Sequence, residues 1–151
     1  MSTRRKKLEK VFDMAMKDYE NDRQVVGGHL HEDQLAECFA VQKGFMGMLK
    51  EDGRFPEWPL DLSSKENQRK LQGFLWDTVR EISEASATLK NRPHRVQEEQ
   101  FDKANFLEEM SDAFAFFMES LLLAGFDAND LYEAYTKKMA VVREGLITGE
   151  R

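Results

Sequence analysis

Cysteine is nearly absent: Cys38 is the single one in 151 residues. One thiol cannot close a bridge within the chain, which excludes a disulfide-stapled scaffold and fits a reducing compartment. Proline (3) and glycine (9) are scarce, so there are few points at which a helix must break. No uninterrupted apolar run approaches the ~18 residues of a membrane span. The basic start, Arg4 to Lys7, is not followed by the apolar stretch of a signal peptide. Basic charge is also short, with 22 Lys and Arg against 28 Asp and Glu and a net charge of −6. A general nucleic-acid coat needs a basic face, so a nucleic-acid polymer is not the expected partner. These absences point to a cytoplasmic chain with no membrane partner.

The chain is instead rich in large apolar side chains. Hydrophobic residues make up 41%, with eleven Phe and eight Met, enough for a core and too many for a disordered chain. The length suits one domain over 1–151. The periodicity predicts five helices. Leu8, Val11, Phe12, Ala15 and Tyr19 recur at helical spacing over 2–19, and Gly27-Gly28 closes this N-terminal helix and turn (1–28). A second helix is expected over 31–50, with the stripe Leu35, Cys38, Phe39, Phe45, Met46 and Leu49. Gln42 falls inside that stripe, where a Leu would be expected. Gly53, Pro56 and Pro59 mark a loop holding Trp58.

Ser63-Ser64-Lys65-Glu66 has the form of a capping box, with Ser63 as cap and Glu66 reaching back. It opens a long helix to about Asn91, before Pro93. A fourth helix over 101–124 is apolar almost all round from Ala113 to Leu123, as in a central buried helix, and Gly125 suits its stop. Asp127 then caps a fifth helix through about Val142, carrying Leu131, Tyr135, Met139 and Val142. The tail 146–151 is expected to be loose. The fold class is therefore all-α, a bundle of about five helices.

Carboxylates stand where such a bundle should be apolar. Glu81 and Glu84 are three apart, hence neighbours on one helix surface, and Glu81 borders Thr78, Ile82 and Ala85. Glu109 and Asp112 repeat the spacing at the entrance to the most apolar helix. Glu84 lies seven residues before Asn91 and Glu109 eight after Phe101. At ~1.5 Å rise per residue both pairs stand roughly 10–12 Å from the turn, at one height on antiparallel neighbours. Four carboxylates there repel one another and resist desolvation unless cations lie between them. Oxygen-only ligands select Mg²⁺ or Mn²⁺, and such an ion serves phosphate chemistry. The competing reading is a solvated acidic face, with Glu81 simply paired to Arg80.

Other candidates are weaker. Gln42 is either a buried amide or a reader of a base edge. Lys138, one turn after Tyr135, either extends its ammonium to water or binds phosphate. Trp58 is either a packing anchor or a stacking platform. His29, His31 and Cys38 match no zinc spacing and lack a fourth ligand.

Glu81-Ile-Ser-Glu84 followed by Glu109-Met-Ser-Asp112 resembles the ExxE…ExxD signature of the all-α NTP pyrophosphatases. These comprise MazG-like enzymes, dimeric dUTPases and phage dCTP/dUTP pyrophosphatases. The phage branch looks nearest, through Gln42 on its helix, the aromatics from Phe114 to Phe117, the Leu123-Ala124-Gly125 turn, and the further helix with Tyr135 to Lys138. The likeness runs over roughly 35–143. It implies a MazG-like, dimeric-dUTPase-like fold with helices packed across the interface of a homodimer or homotetramer. The implied reaction is a Mg²⁺-dependent hydrolysis of a deoxynucleoside triphosphate to monophosphate and pyrophosphate. Glu81, Glu84, Glu109 and Asp112 would hold the metals, and Glu81 would act on the water as the catalytic residue. Lys138 would contact phosphate, Gln42 would lie near the base, and Trp58 and Arg143 would complete the substrate contacts. Met139 and Val142 stand where the pyrimidine-specific members carry Asn. A purine-directed dATP/dGTP enzyme of the phage MazG-like type therefore stays beside the dUTP/dCTP reading, as does a non-catalytic helical interaction module.

Overall fold

Asp33 opens the first described helix by accepting the Ala36 N–H at 2.9 Å through its side chain, one of the donors a helix start leaves without a partner. The structure is a computed structural model and describes residues 33–90, 93–94, 96 and 100–148. The expected first helix over 2–19, with His29 and His31, lies outside the described residues. Four helices follow: α1 (Gln34–Glu51), α2 (Lys65–Ala87), α3 (Lys103–Leu123) and α4 (Ala128–Thr148). No strand occurs among the described residues, so the all-α class stands.

The chain divides into two compact units, Glu57–Gly125 and a second formed by Met1–Pro56 with Phe126–Arg151. In the latter, α1 packs on α4. Phe39, Gln42 and Met46, spaced 3 and 4 apart, form the buried line of α1, and Met46 is fully enclosed. Helix α4 buries only Ala128 and leaves Tyr132, Tyr135, Met139, Val142 and Leu146 exposed. Asp127 starts α4 by accepting the Asn129 and Asp130 N–H groups. The helix runs past Val142 and Gly145 to Thr148, so residues 146–148 of the expected loose tail are helical, and 149–151 lie outside the described residues. One interior glycine costs only about 1 kcal/mol, too little to end a helix whose neighbours continue it.

The unit Glu57–Gly125 is an antiparallel pair of α2 and α3. Two local expectations are corrected there. Ser64, not Ser63, caps α2, its hydroxyl accepting the Asn67 N–H at 3.4 Å. Ser63 is already held by Asp61, whose carboxylate accepts both its N–H and its hydroxyl. Glu66 pairs forward with Lys70 rather than reaching back. The helix also ends at Ala87, short of Asn91. The Thr88 hydroxyl donates to the Ala85 carbonyl at 2.7 Å, and the Leu89 N–H falls back to Ser86. That tightened turn uses up the carbonyls that would extend the helix.

Helix α3 is capped by Asp102, which accepts the Asn105 N–H. It buries Ala113, Met118, Glu119, Ser120, Leu122 and Leu123. The expected all-round burial holds only in part, because Phe114 is exposed and Phe116 and Phe117 are half-buried. At its end Gly125 adopts φ +87°, and the Leu60 N–H donates to the Leu123 carbonyl at 2.7 Å. A Cβ on Gly125 would stand 3.3 Å from the Pro59 Cβ. Gly125→Ala therefore meets both a left-handed backbone and a tight contact. It should cost about 1–2 kcal/mol, read as a lower urea midpoint with an unchanged slope.

Candidate metal centre

Two buried alanines lie beside the point where three of the four acids meet. Ala85 and Ala113 are 1% and 4% exposed, one turn beyond Glu81 and one residue beyond Asp112 respectively. Methyl side chains at these positions let α2 and α3 approach closely enough for short acids to meet across the seam. One oxygen each of Glu81, Glu109 and Asp112 lies within 4.8 Å of the others. Glu81 is buried, Glu109 half-buried and Asp112 exposed, so the trio runs from the seam outward to solvent. Of the four acids expected at one height, three meet in this geometry.

Glu84 stands apart from the trio. Its side chain is about half exposed and lies 3.8 Å from the Arg80 guanidinium, though its charge still acts on Glu109. Arg80 dominates this side of α2. It donates through Nη2 and Nε to Glu81 Oε1 at 2.9 and 3.3 Å and through Nη1 to Asp77 at 2.8 Å, and it lies over the Phe116 ring. The Glu81 hydrogen bond, the largest influence, holds the Arg80 proton more firmly than usual. The simple ion pair weighed against the metal reading is thus present, and it engages one of the two oxygens of Glu81.

The remaining two acids carry the electrostatic load. Desolvation, then the charges of Glu84, Glu81, Asp112 and Glu108, push the Glu109 carboxyl above its ordinary range. Desolvation and the charges of Glu81 and Glu108 do the same to Asp112. A raised folded pKa means that the folded chain binds protons the unfolded chain has already released, so this contribution to stability falls as pH rises through the carboxylate range. Both acids are consequently under repulsion at neutral pH. In EDTA at pH 7, Asp112→Asn should melt higher than wild type, and the gap should close below the ordinary aspartate range. Adding Mg²⁺ should raise the wild-type melting temperature and leave the variant unmoved.

An all-oxygen set, partly enclosed and short of positive charge, fits a hard divalent ion. The other sequence candidates fall elsewhere. Trp58 belongs to the loop pinned at Leu123, eleven residues past Asp112 and so roughly 16 Å along α3, and is half-buried. Gln42, Lys138 and Arg143 belong to the unit containing α1 and α4; Gln42 is buried, Lys138 and Arg143 exposed. Cys38 is half-buried in α1 as a free thiol. Arg80 is the residue whose weight sequence reasoning underestimated. Its position beside Glu81 and three residues after Asp77 was the available signal. No protein-family model, curated protein or solved structure matches the chain. Among the described residues, no helix is long and apolar enough to cross a membrane.

Proposed function

We propose that the chain is a divalent-metal-dependent deoxynucleoside triphosphate pyrophosphohydrolase. In this reading water attacks the α-phosphorus, the bond to the bridging oxygen breaks, and the products are the monophosphate and pyrophosphate. The observation that carries it is the meeting of Glu81, Glu109 and Asp112 within 4.8 Å across two helices. Their order and spacing are also those of the family signature. These three acids, with Glu84 one turn from Glu81, would hold Mg²⁺ or Mn²⁺. Bound there, the ion supplies neutralisation of the triphosphate and a lower pKa for water. Glu81 is the most enclosed of the acids and the best placed to orient that water or take its proton. Gln42, Trp58, Lys138 and Arg143 are assigned to the nucleotide by the sequence reading and the resemblance, composition favours a cytoplasmic chain, and the phage-type reading rests on the resemblance.

The test is product analysis with Mg²⁺, then Mn²⁺, and each dNTP supplied separately. Monophosphate and pyrophosphate in equal amounts from one or two substrates is the expected result, and the identity of those substrates separates the pyrimidine from the purine reading. The Arg80–Glu81 pair favours a second reading, a helical interaction module whose acids are solvated and paired. Turnover of no dNTP, with no thermal shift on adding metal and nucleotide, would establish that reading instead.

A further inference from the structure

We propose that the exposed apolar seam of α4 is covered by residues 8–19 of the same chain, docked on it as an amphipathic helix. Tyr132, Tyr135, Met139, Val142 and Leu146 follow one another at alternating steps of three and four residues and are between 38% and 62% exposed. That alternation keeps the five side chains in one line along the helix, the pattern by which one helix receives another. At about 100° per residue they fall within about 40° of a common meridian. Two charged residues border the line, Arg143 about 60° to one side and Lys138 about 80° to the other. The remaining charged residues of α4, Asp130, Glu133, Lys137 and Glu144, lie about 140–180° away, on the back. There Lys137 pairs with Glu133 at 3.2 Å. The seam is thus apolar with a cation on each edge.

Charge selects the occupant. A second α4 laid on the seam would set Lys138 and Arg143 against their own copies, and like charges across such a seam repel. The complementary pattern occurs in this chain. Leu8, Phe12, Ala15 and Tyr19 repeat the alternation of four and three, and Glu9 and Asp18 border their line about 90° to either side. Lys10, Asp13 and Lys17 fall further round, about 130–170° away. Residues 8–19 therefore carry an acid on each edge where α4 carries a cation. The two lines match in length, about 17 Å from Leu8 to Tyr19 and about 21 Å from Tyr132 to Leu146. The connector, 20–33, reaches at most about 45 Å. That exceeds the roughly 30 Å length of α4, which belongs to the same unit of the chain. Such a tether holds the segment at an effective concentration near the millimolar range, which a separate partner would have to exceed. This inference rests on the pattern of exposure and charge and not on the proposed reaction.

Alkylation of the full chain tests it, in a Cys38→Ser background. Tyr135→Cys and, separately, Glu133→Cys place a thiol on the seam and on the back; both positions are more than half exposed in α4. The thiol at 135 should react at least about 10-fold more slowly than the one at 133, at every protein concentration. Phe12→Asp should bring position 135 up to the rate of 133 and leave 133 unchanged. Lys138→Glu with Arg143→Glu should do the same, and adding Glu9→Lys with Asp18→Lys to that pair should restore the protection. Equal rates at 135 and 133 in the starting chain, protection indifferent to Phe12→Asp, or charge reversal without rescue would overturn the proposal. Protection that grows with protein concentration would give the seam to a second copy and overturn it as well. Turnover enters none of these readouts, so the proposed reaction and the proposed docking can fail separately.

Discussion

Glu109→Gln should lower dNTP turnover by at least about 100-fold, since in the proposed reaction it would remove a charged ligand from the metal. The substitution preserves shape and deletes a charge that desolvation and neighbouring acids already disfavour. Helical circular dichroism should therefore be unchanged and the metal-free protein at least as stable. The loss of activity with retained stability is the informative pair, because a residue that merely holds the fold would lose both. Wild-type turnover in this variant would remove the trio from the mechanism.

The largest stability effect is expected at Leu123. Its side chain is fully enclosed, and its carbonyl receives the Leu60 N–H that fastens the entry loop to the end of α3. Leu123→Ala removes the packing and leaves a cavity where collapse is restrained by that hydrogen bond. The cost should be about 2–5 kcal/mol, seen in chemical denaturation. Leu146→Ala, at a position 61% exposed on α4, should stay within roughly 0.5 kcal/mol and serves as the control. Similar losses at both positions would mean that burial in α3 is not what secures this unit.

Much of this architecture was legible where one physical rule acted alone. Asp127 was positioned to start a helix and does so. Gly125 was needed for a left-handed turn and supplies it. Counting helix rise outward from the turn put the two acidic pairs near one height, and Glu81, Glu109 and Asp112 meet while Glu84 does not. Legibility failed where two local bonds competed. Ser63 and Ser64 have the same chemistry, and only the position of Asp61 decides which of them is free to cap. Thr88 has no turn signature, yet its hydroxyl closes the last turn of α2. Gly145 looked like an end because glycine is a poor helix former, but a single residue's propensity was outweighed. Arg80 was visible as a possible partner of Glu81, but adjacency in sequence does not reveal that its fork also spans Asp77 and lies over Phe116. The exposure of the stripe from Tyr132 to Leu146 could not be read either. Periodicity reports which residues share a face and is silent about whether anything covers that face.

The guanidinium of Arg80 gives the acidic side a resident counter-ion. Arginine does not surrender its charge at any physiological pH, so it can leave Glu81 only by moving, never by deprotonating. A divalent ion taken up through the Glu81 Oε1 that Arg80 holds would arrive by exchange, one cation for another. Its apparent affinity is its intrinsic affinity less the work of turning Arg80 away from Glu81 and Phe116. The displaced guanidinium stays tethered to the same turn of helix. Three carboxylates against one guanidinium leave the site net negative before uptake, and the exchange leaves a mobile positive group within reach of whatever anion follows the metal in.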